Sequence, residues 1–266
     1  MLYFPQLVTG ATSQFPIRKT RARRIISSIS EDGHRYAVPD ESGGTIVWDL
    51  SFSEISDGEM AQLVAFFNET EGRLQLFTFF DPTSNLLFWS ENPDHPVWQK
   101  SSFLQIAGGA GDPLGSTRAT RITDTGAGDL ALVQTINMPG SATCCFSVYA
   151  RNESGGSLSL GRTSGTASDT AAFSLSGDWK RFTLSSTLAD GDPASSNFAV
   201  GLGAGASADV FGFQVDAQPG ASIYSPSFAD SGVFPVARFD DDAITITAAA
   251  PNRNSCSVKI ITPANR

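Results

Sequence analysis

Apolar and polar side chains alternate over short stretches through most of this chain, the period of a strand with one buried face. The alternation is plain in Phe146, Val148 and Ala150, and again in Phe182 and Leu184. In the first third, Arg24–Ile29, Thr45–Phe52 and Phe77–Phe80 are β-rich runs, the last stopped by Asp81-Pro82. Arg35–Val38 follows the Asp32-Gly33 turn as a short hairpin strand. Further along, the predicted strands crowd together: Phe103–Ala107, Arg118–Thr123, Leu130–Asn137, Cys144–Ala150, Ser157–Gly161, Ala171–Leu175, Lys180–Ser185, Phe198–Leu202 and Val210–Val215. Short spacing with breaks rich in Gly, Asp and Ser predicts a β-sandwich. At the end, Ala237–Thr247 and Ser257–Thr262 bracket the turn cluster Pro251–Asn254 and predict a terminal hairpin. A hairpin so short does not hold alone, and the opening segment is the nearest candidate to pair with it.

One stretch breaks the period of two. Met60, Leu63, Val64 and Phe67 recur at i, i+3, i+4 and i+7 and predict one helix over about 56–70. Ser56 is a good N-cap and Glu59 completes a capping box, while Gly72 marks the exit. A helix of this length is marginal in isolation, so its stripe must pack on a sheet.

Composition divides the chain. Residues 1–93 hold 13 of the 27 aromatics, the middle is dominated by Gly, Ala, Ser and Thr, and the last 35 residues return to β-branched alternation. The reading is an all-β protein with one short packed helix. Residues 1–93 plus 232–266 are expected to form one β-sandwich domain, and residues 94–231 a second β-sandwich placed inside it; the resemblances below imply an assembly domain for the first and a jelly roll for the second. Charged residues are 17% of the chain, which fits a surface covered by partners or a small Ser/Thr/Gly-rich β fold equally well.

The net charge of −9 argues against nucleic acid as a partner, because phosphate contact needs clustered cations. The cations that do cluster are Arg18, Lys19, Arg21, Arg23 and Arg24, with no acid before Glu31. They form either a solvated strand edge or a polar subunit interface. No run reaches the roughly 18 apolar residues of a membrane span. The opening MLYFPQLVTG lacks the basic start of a signal peptide, so synthesis and folding in a cytoplasm are expected. Three cysteines, two of them adjacent, read as small buried apolar side chains rather than a disulfide framework.

Catalytic chemistry finds little to use. The histidines are His34 and His95, both in turns, and no Gly-x-Ser-x-Gly elbow or Cys/His cluster occurs. Asp240, Asp241 and Asp242 are consecutive, and consecutive strand residues do not all face one ion. Asp190 and Asp192 flank Gly191 before Pro193 in a turn. The expectation is that the protein is not an enzyme and needs no cofactor. For glycan stacking, Trp98 and Tyr149 are the candidates in the middle segment, with packing in a core as the other reading of each.

Two resemblances complete the picture. Phe4-Pro5-Gln6-Leu7, Gln14-Phe15-Pro16, Trp48-Asp49-Leu50, the Ser56–Glu59 helix start, Phe66-Phe67, Glu71-Gly72-Arg73, Phe77-Thr78-Phe79 and Asp81-Pro82 resemble the opening domain of phage and prophage minor tail proteins, nearest the distal tail protein class. Asn85-Leu86-Leu87, Trp89-Ser90-Glu91, Trp98, Asp112-Pro113, Phe146–Ala150, Trp179-Lys180-Arg181, Gly212-Phe213-Gln214 and Tyr224-Ser225-Pro226 are similar to the carbohydrate-binding-module-like jelly rolls of such tails. The first resemblance implies a virion protein at the tail tip, a ring usually of six subunits joining the tail tube protein to the hub and tip proteins. The second implies an outward jelly roll, a place for structural calcium with no ligands assigned, and host surface glycans as alternative partners of an adhesin. It also makes Trp179 a structural residue of a core strand.

Overall fold

A computed structural model of the chain describes residues 1–190 and 194–264. In chain order its elements are β1 (Arg18–Ile29), β2 (Arg35–Ile55), α1 (Asp57–Glu69), β3 (Phe77–Phe80), β4 (Leu104–Ala110), β5 (Ala119–Asp124), β6 (Leu130–Ile136), β7 (Cys144–Arg151), β8 (Ser157–Ser164), β9 (Ala167–Ser174), β10 (Lys180–Ser186), β11 (Ser196–Leu202), β12 (Ser207–Asp216), β13 (Val233–Phe239), β14 (Ile246–Ala250) and β15 (Arg253–Pro263). No helix among the described residues is long and apolar enough to cross a membrane.

The chain forms two compact units. The first holds Met1–Val8, Thr12–Phe80 and Val233–Arg266. Its antiparallel sheet runs β1-β2-β15-β13-β3, with β14 added on β15. The inner half of β2 shows why it forms: Ile46, Trp48, Leu50 and Phe52 alternate onto one buried face. Helix α1 lays Met60, Leu63 and Phe66 on the same core. Phe4, Phe66, Phe77 and Phe239 meet there edge to face or tilted, with ring centroids 5.1–6.2 Å apart. Ser56 accepts from the Glu59 backbone N–H, and the Glu59 carboxylate accepts in return from the Ser56 N–H.

The second unit, Thr9–Ala11 with Asp81–Gly232, is a sandwich. One sheet is β10-β7-β12-β5-β4 and the other β6-β11-β8-β9, all antiparallel. The sheets meet through contacts such as Phe146 on Phe198, centroids 5.6 Å apart, and Phe173 on Phe182, 5.0 Å apart. The break expected near residue 93 lies inside this unit, which begins at Asp81. The reason is a bracket built by Asn85. Its Nδ2 donates to Phe213 O and Ser225 O, and its Oδ1 accepts from Leu87 N and Val215 N. Trp89 N then donates to Phe228 O, so residues 85–90 are fastened to 213–228 within the sandwich.

The expected terminal hairpin is divided differently. The run 237–247 falls on two strands, β13 and β14, separated at Asp240–Thr245. β13 pairs with β3 on one side and β15 on the other, and β15 pairs in long register with β2 from Asn254↔Ile55 to Pro263↔Thr45.

Candidate binding surfaces

The most exposed feature of the first unit is a ribbon. β1 and β2 pair from Arg18↔Asp49 out to Ile29↔Arg35, while β15 accompanies β2 only as far as Thr45. Six paired rows, Arg24↔Asp40 to Ile29↔Arg35, therefore run beyond the sheet. At about 3.4 Å per residue they extend it by roughly 20 Å. The step out of the sheet is marked by a bulge between Ala22 and Arg24. Gly43 is needed there, because a Cβ on it would lie 2.6 Å from the Arg24 Cβ. Residues facing each other across a pair share a face. One face of the ribbon thus carries Ile26, Val38 and Tyr36, and the other Ile25, Ile29, Ala37 and Pro39. The large apolar members of both faces are more than half exposed, Ile29 at 73%.

The five cations singled out in the sequence lie at the root of this ribbon. Arg18, Arg21, Arg23 and Arg24 are exposed, and Arg24 Nε pairs with Asp40 Oδ2 at 3.1 Å. Lys19 is different: it is half-buried, with its ammonium 5.6 Å from the Trp48 ring centre and 6.0 Å from that of Phe234. Its stem packs over the core edge.

In the second unit the two outer sheet faces differ in chemistry. Strand alternation puts Thr135, Asn197, Thr163, Ser168, Val133, Ala199, Gly161 and Thr170 on the open face of the four-stranded sheet, a flat surface of small side chains with no aromatic among them. The outer face of the five-stranded sheet holds rings and guanidinium groups instead. Arg181 sits 5.4 Å over Tyr149, Arg151 5.0 Å over Trp179, and Arg118 5.1 Å over Phe211. Asp209, nearly fully buried, accepts from Arg121 Nε at 2.7 Å and Arg151 Nε at 3.2 Å.

Tyr149 is half-buried on that face, flanked by Phe211 and Tyr224. Trp98 is elsewhere: it is 2% exposed, packs on Phe213 and donates Nε1 to Trp89 O at 3.2 Å. A ring so enclosed has no face for a sugar, and the structure does not bring Trp98 and Tyr149 together. Trp179, expected as structural, is half-buried with Arg151 as its cover.

Several other titratable groups of the sandwich are tied to one another. Arg118 donates Nε to Asp112 and Nη1 to Glu91, while Tyr224 OH donates to Glu91 Oε1 at 3.1 Å. Burial pushes the Tyr224 phenol well above its ordinary value. Asp112 also accepts three backbone N–H groups, from Leu114, Ser116 and Arg118. Burial alone raises its pKa, but these bonds and the Arg118 charge outweigh that and hold it below the usual carboxylate range. His34 is exposed, 3.7 Å from Asp32, and His95 stacks on Trp89 at 4.4 Å. Asp240, Asp241 and Asp242 do not converge: Asp242 pairs with Arg73 at 2.7 Å, while Asp240 N donates to Lys259 O. Asp190 accepts from Ser141 N, while Gly191, Asp192 and Pro193 lie outside the described residues. Among the described residues no three His, Cys, Asp or Glu side chains are grouped to hold a metal ion.

No family model matches the chain, and no curated protein matches it. Solved structures similar to it include TmCBM61 in complex with β-1,4-galactotriose, at 14% identity over 50% of this chain and 99% of that one, with a TM-score of 0.40. The CBM22-1 xylan-binding domain of Paenibacillus barcinonensis Xyn10C is 11% identical over 48% of this chain and 89% of that one, TM-score 0.40. The enzymatically active domain of bacteriophage CBA120 tailspike protein 4 is 12% identical over 52% of this chain, TM-score 0.38, and only 22% of that longer structure is spanned. The sandwich assignment itself rests on the strand pairing described above.

Proposed function

We propose that this chain is a non-enzymatic structural component of a phage tail tip, a distal tail protein whose first unit builds a ring between tail tube and hub while the jelly roll serves as a display module. The observation that carries the reading is the β1–β2 ribbon, an element that leaves apolar side chains in water on both faces. A two-stranded ribbon is at best marginal alone, and exposed apolar surface of this kind marks an association site. The tie to a tail comes from the aromatic and turn positions of residues 4–82. Electron microscopy of the purified full chain, with mass spectrometry of purified tail particles, tests it. Rings, and the chain among tail proteins, are expected. A chain missing from tail particles overturns the tail assignment.

A second reading, a host-glycan-binding adhesin, is favoured by the five-stranded sheet face, where the half-buried Tyr149 and Trp179 rings each carry a guanidinium group over one face. An aromatic face with adjacent donors is the chemistry of sugar stacking and hydroxyl recognition. On a glycan array of the full chain, binding that is lost in Tyr149→Ala supports it, and silence on host polysaccharides removes it.

A further inference from the structure

We infer that the ribbon of one copy seats in a groove at the ribbon root of a second copy, so that the chain associates head to tail. This rests on the assembly reading above and names the two surfaces that join. The groove lies beside the strands β13 and β15, with a volume near 220 Å³, and is lined by Thr45, Leu76, Val236, Arg238, Ile261 and Pro263. Leu76 and Val236 are 52% and 44% exposed there, apolar side chains open to an incoming one.

The occupant follows from reach and charge. Thr45, which lines the groove, is the residue at which β2 parts from β15 and the ribbon begins. The ribbon runs away from that point for six paired rows, so it does not return to its own groove. A ribbon from another molecule meets no such limit. The ribbon itself, residues 24–40, carries two cations (Arg24, Arg35) and three carboxylates (Glu31, Asp32, Asp40), a net −1, whereas the root before it carries four cations (Arg18, Lys19, Arg21, Arg23) and no acid. At the tip the sign reverses: Glu31 and Asp32 are the acids there, and exposed Arg238 borders the groove. Tip acids on Arg238 and ribbon isoleucines on Leu76 and Val236 make one consistent contact. Ribbon and groove are different surfaces, so the contact is heterologous and either closes into a ring or continues as a filament.

Mixed variants test this by sedimentation velocity on the full chain. The ribbon variant is Ile25→Ser with Ile26→Ser and Ile29→Ser, and the groove variant is Leu76→Ser with Val236→Glu. All five positions are exposed, from Val236 at 44% to Ile29 at 73%, and circular dichroism checks that each variant is folded. Wild type is expected to sediment as an oligomer, and each variant alone to associate at least about tenfold more weakly. An equal mixture of the two should give a one-to-one dimer, since one intact ribbon and one intact groove remain. Wild type that stays monomeric at all concentrations, variants that keep the wild-type mass, or a mixture that stays monomeric each overturns the inference. If a groove variant unfolds, Arg238→Glu with Glu31→Lys and Asp32→Lys replaces it: each change alone weakens association and the charge-swapped chain recovers it. Tail particles lacking the chain refute the tail assignment without touching this result, and a monomer found in tail particles does the reverse.

Discussion

At the residue scale, Arg162 shows how much depends on one side chain. It is fully buried within the sandwich, and Asp169 is its partner across the β8–β9 pair, its charge favouring the guanidinium, yet the hydrogen-bond acceptors around it are not carboxylates. Its guanidinium instead donates to Pro139 O, Ala142 O, Ser186 O and the Ser196 hydroxyl, at 2.8–3.2 Å. One cation thus fastens three loop and strand ends. Burial pulls its pKa down, but it has no need to lose its proton while these acceptors surround it. Arg162→Met removes the charge and strands several buried carbonyls, so a loss of roughly 3 kcal/mol or more is expected, read as a lower midpoint in urea unfolding. The cysteines are the opposite case. Burial pushes the thiol of Cys144 up to about 11 and that of Cys145 up to about 12, and raises Cys256 as well. Thiolate is the reactive form, so a chromogenic disulfide reagent at neutral pH should find no fast thiol in the native chain and three after denaturation.

At the scale of the element, α1 is the clearest link from sequence to stability. The Glu59 carboxylate accepts from Ser56 N at 2.9 Å, Ser56 Oγ at 2.8 Å and Val8 N at 3.1 Å. Burial acts to raise its pKa, yet these bonds prevail and set it below the ordinary 4.5. A depressed carboxyl stabilises the fold above its unfolded pKa, and that contribution fades as pH falls through the folded value. The stability gap between wild type and Glu59→Gln should therefore be full at neutral pH and close on acidification below about pH 4. Ser56→Ala removes one capping acceptor and should cost about 1 kcal/mol. Both are measurable by chemical denaturation. The helix was legible because cap and stripe are local signals. The ribbon was not: alternation in Arg24–Ile29 and Arg35–Val38 is the same whether a strand is covered or stands in water, so β1 and β2 were expected as short strands and not as an extension beyond the sheet.

On the scale of the whole molecule, charge is distributed rather than merely abundant. A chain with a pI near 4.6 gathers five of its 18 cations at the ribbon root, while the tip carries Glu31 and Asp32, so opposite charges of two copies attract each other. Raising the salt from low to several times physiological screens such contacts beyond a Debye length of under about 8 Å. Association measured by light scattering should weaken with added salt and persist in part, because the apolar share is not screened. Salt-independent association would place the contact away from the cations. The sites were less legible than the strands. Tyr149 and Trp98 look alike in sequence, yet one lies half-open on a sheet and the other is sealed beneath Phe213. The rings and guanidinium groups beside Tyr149 come from residues 118 to 224 and meet through strand pairing and through the segment that lays Tyr224 on the sheet.

What the sequence determined by itself is what depends on near neighbours: the strand period, the capped helix, the turn residues that stop each run, and the contrast in texture between the aromatic ends and the Ser/Thr/Gly-rich middle. Tertiary structure decided what depends on distant partners. It set β15 against β2, buried Arg162 among carbonyls of separate loops, tied Asn85 to residues 213–225, and left the ribbon isoleucines uncovered. The physical reason is that periodicity records which side of an element is apolar, whereas burial is a property of the surface that comes to lie on it, and that surface is supplied from far along the chain.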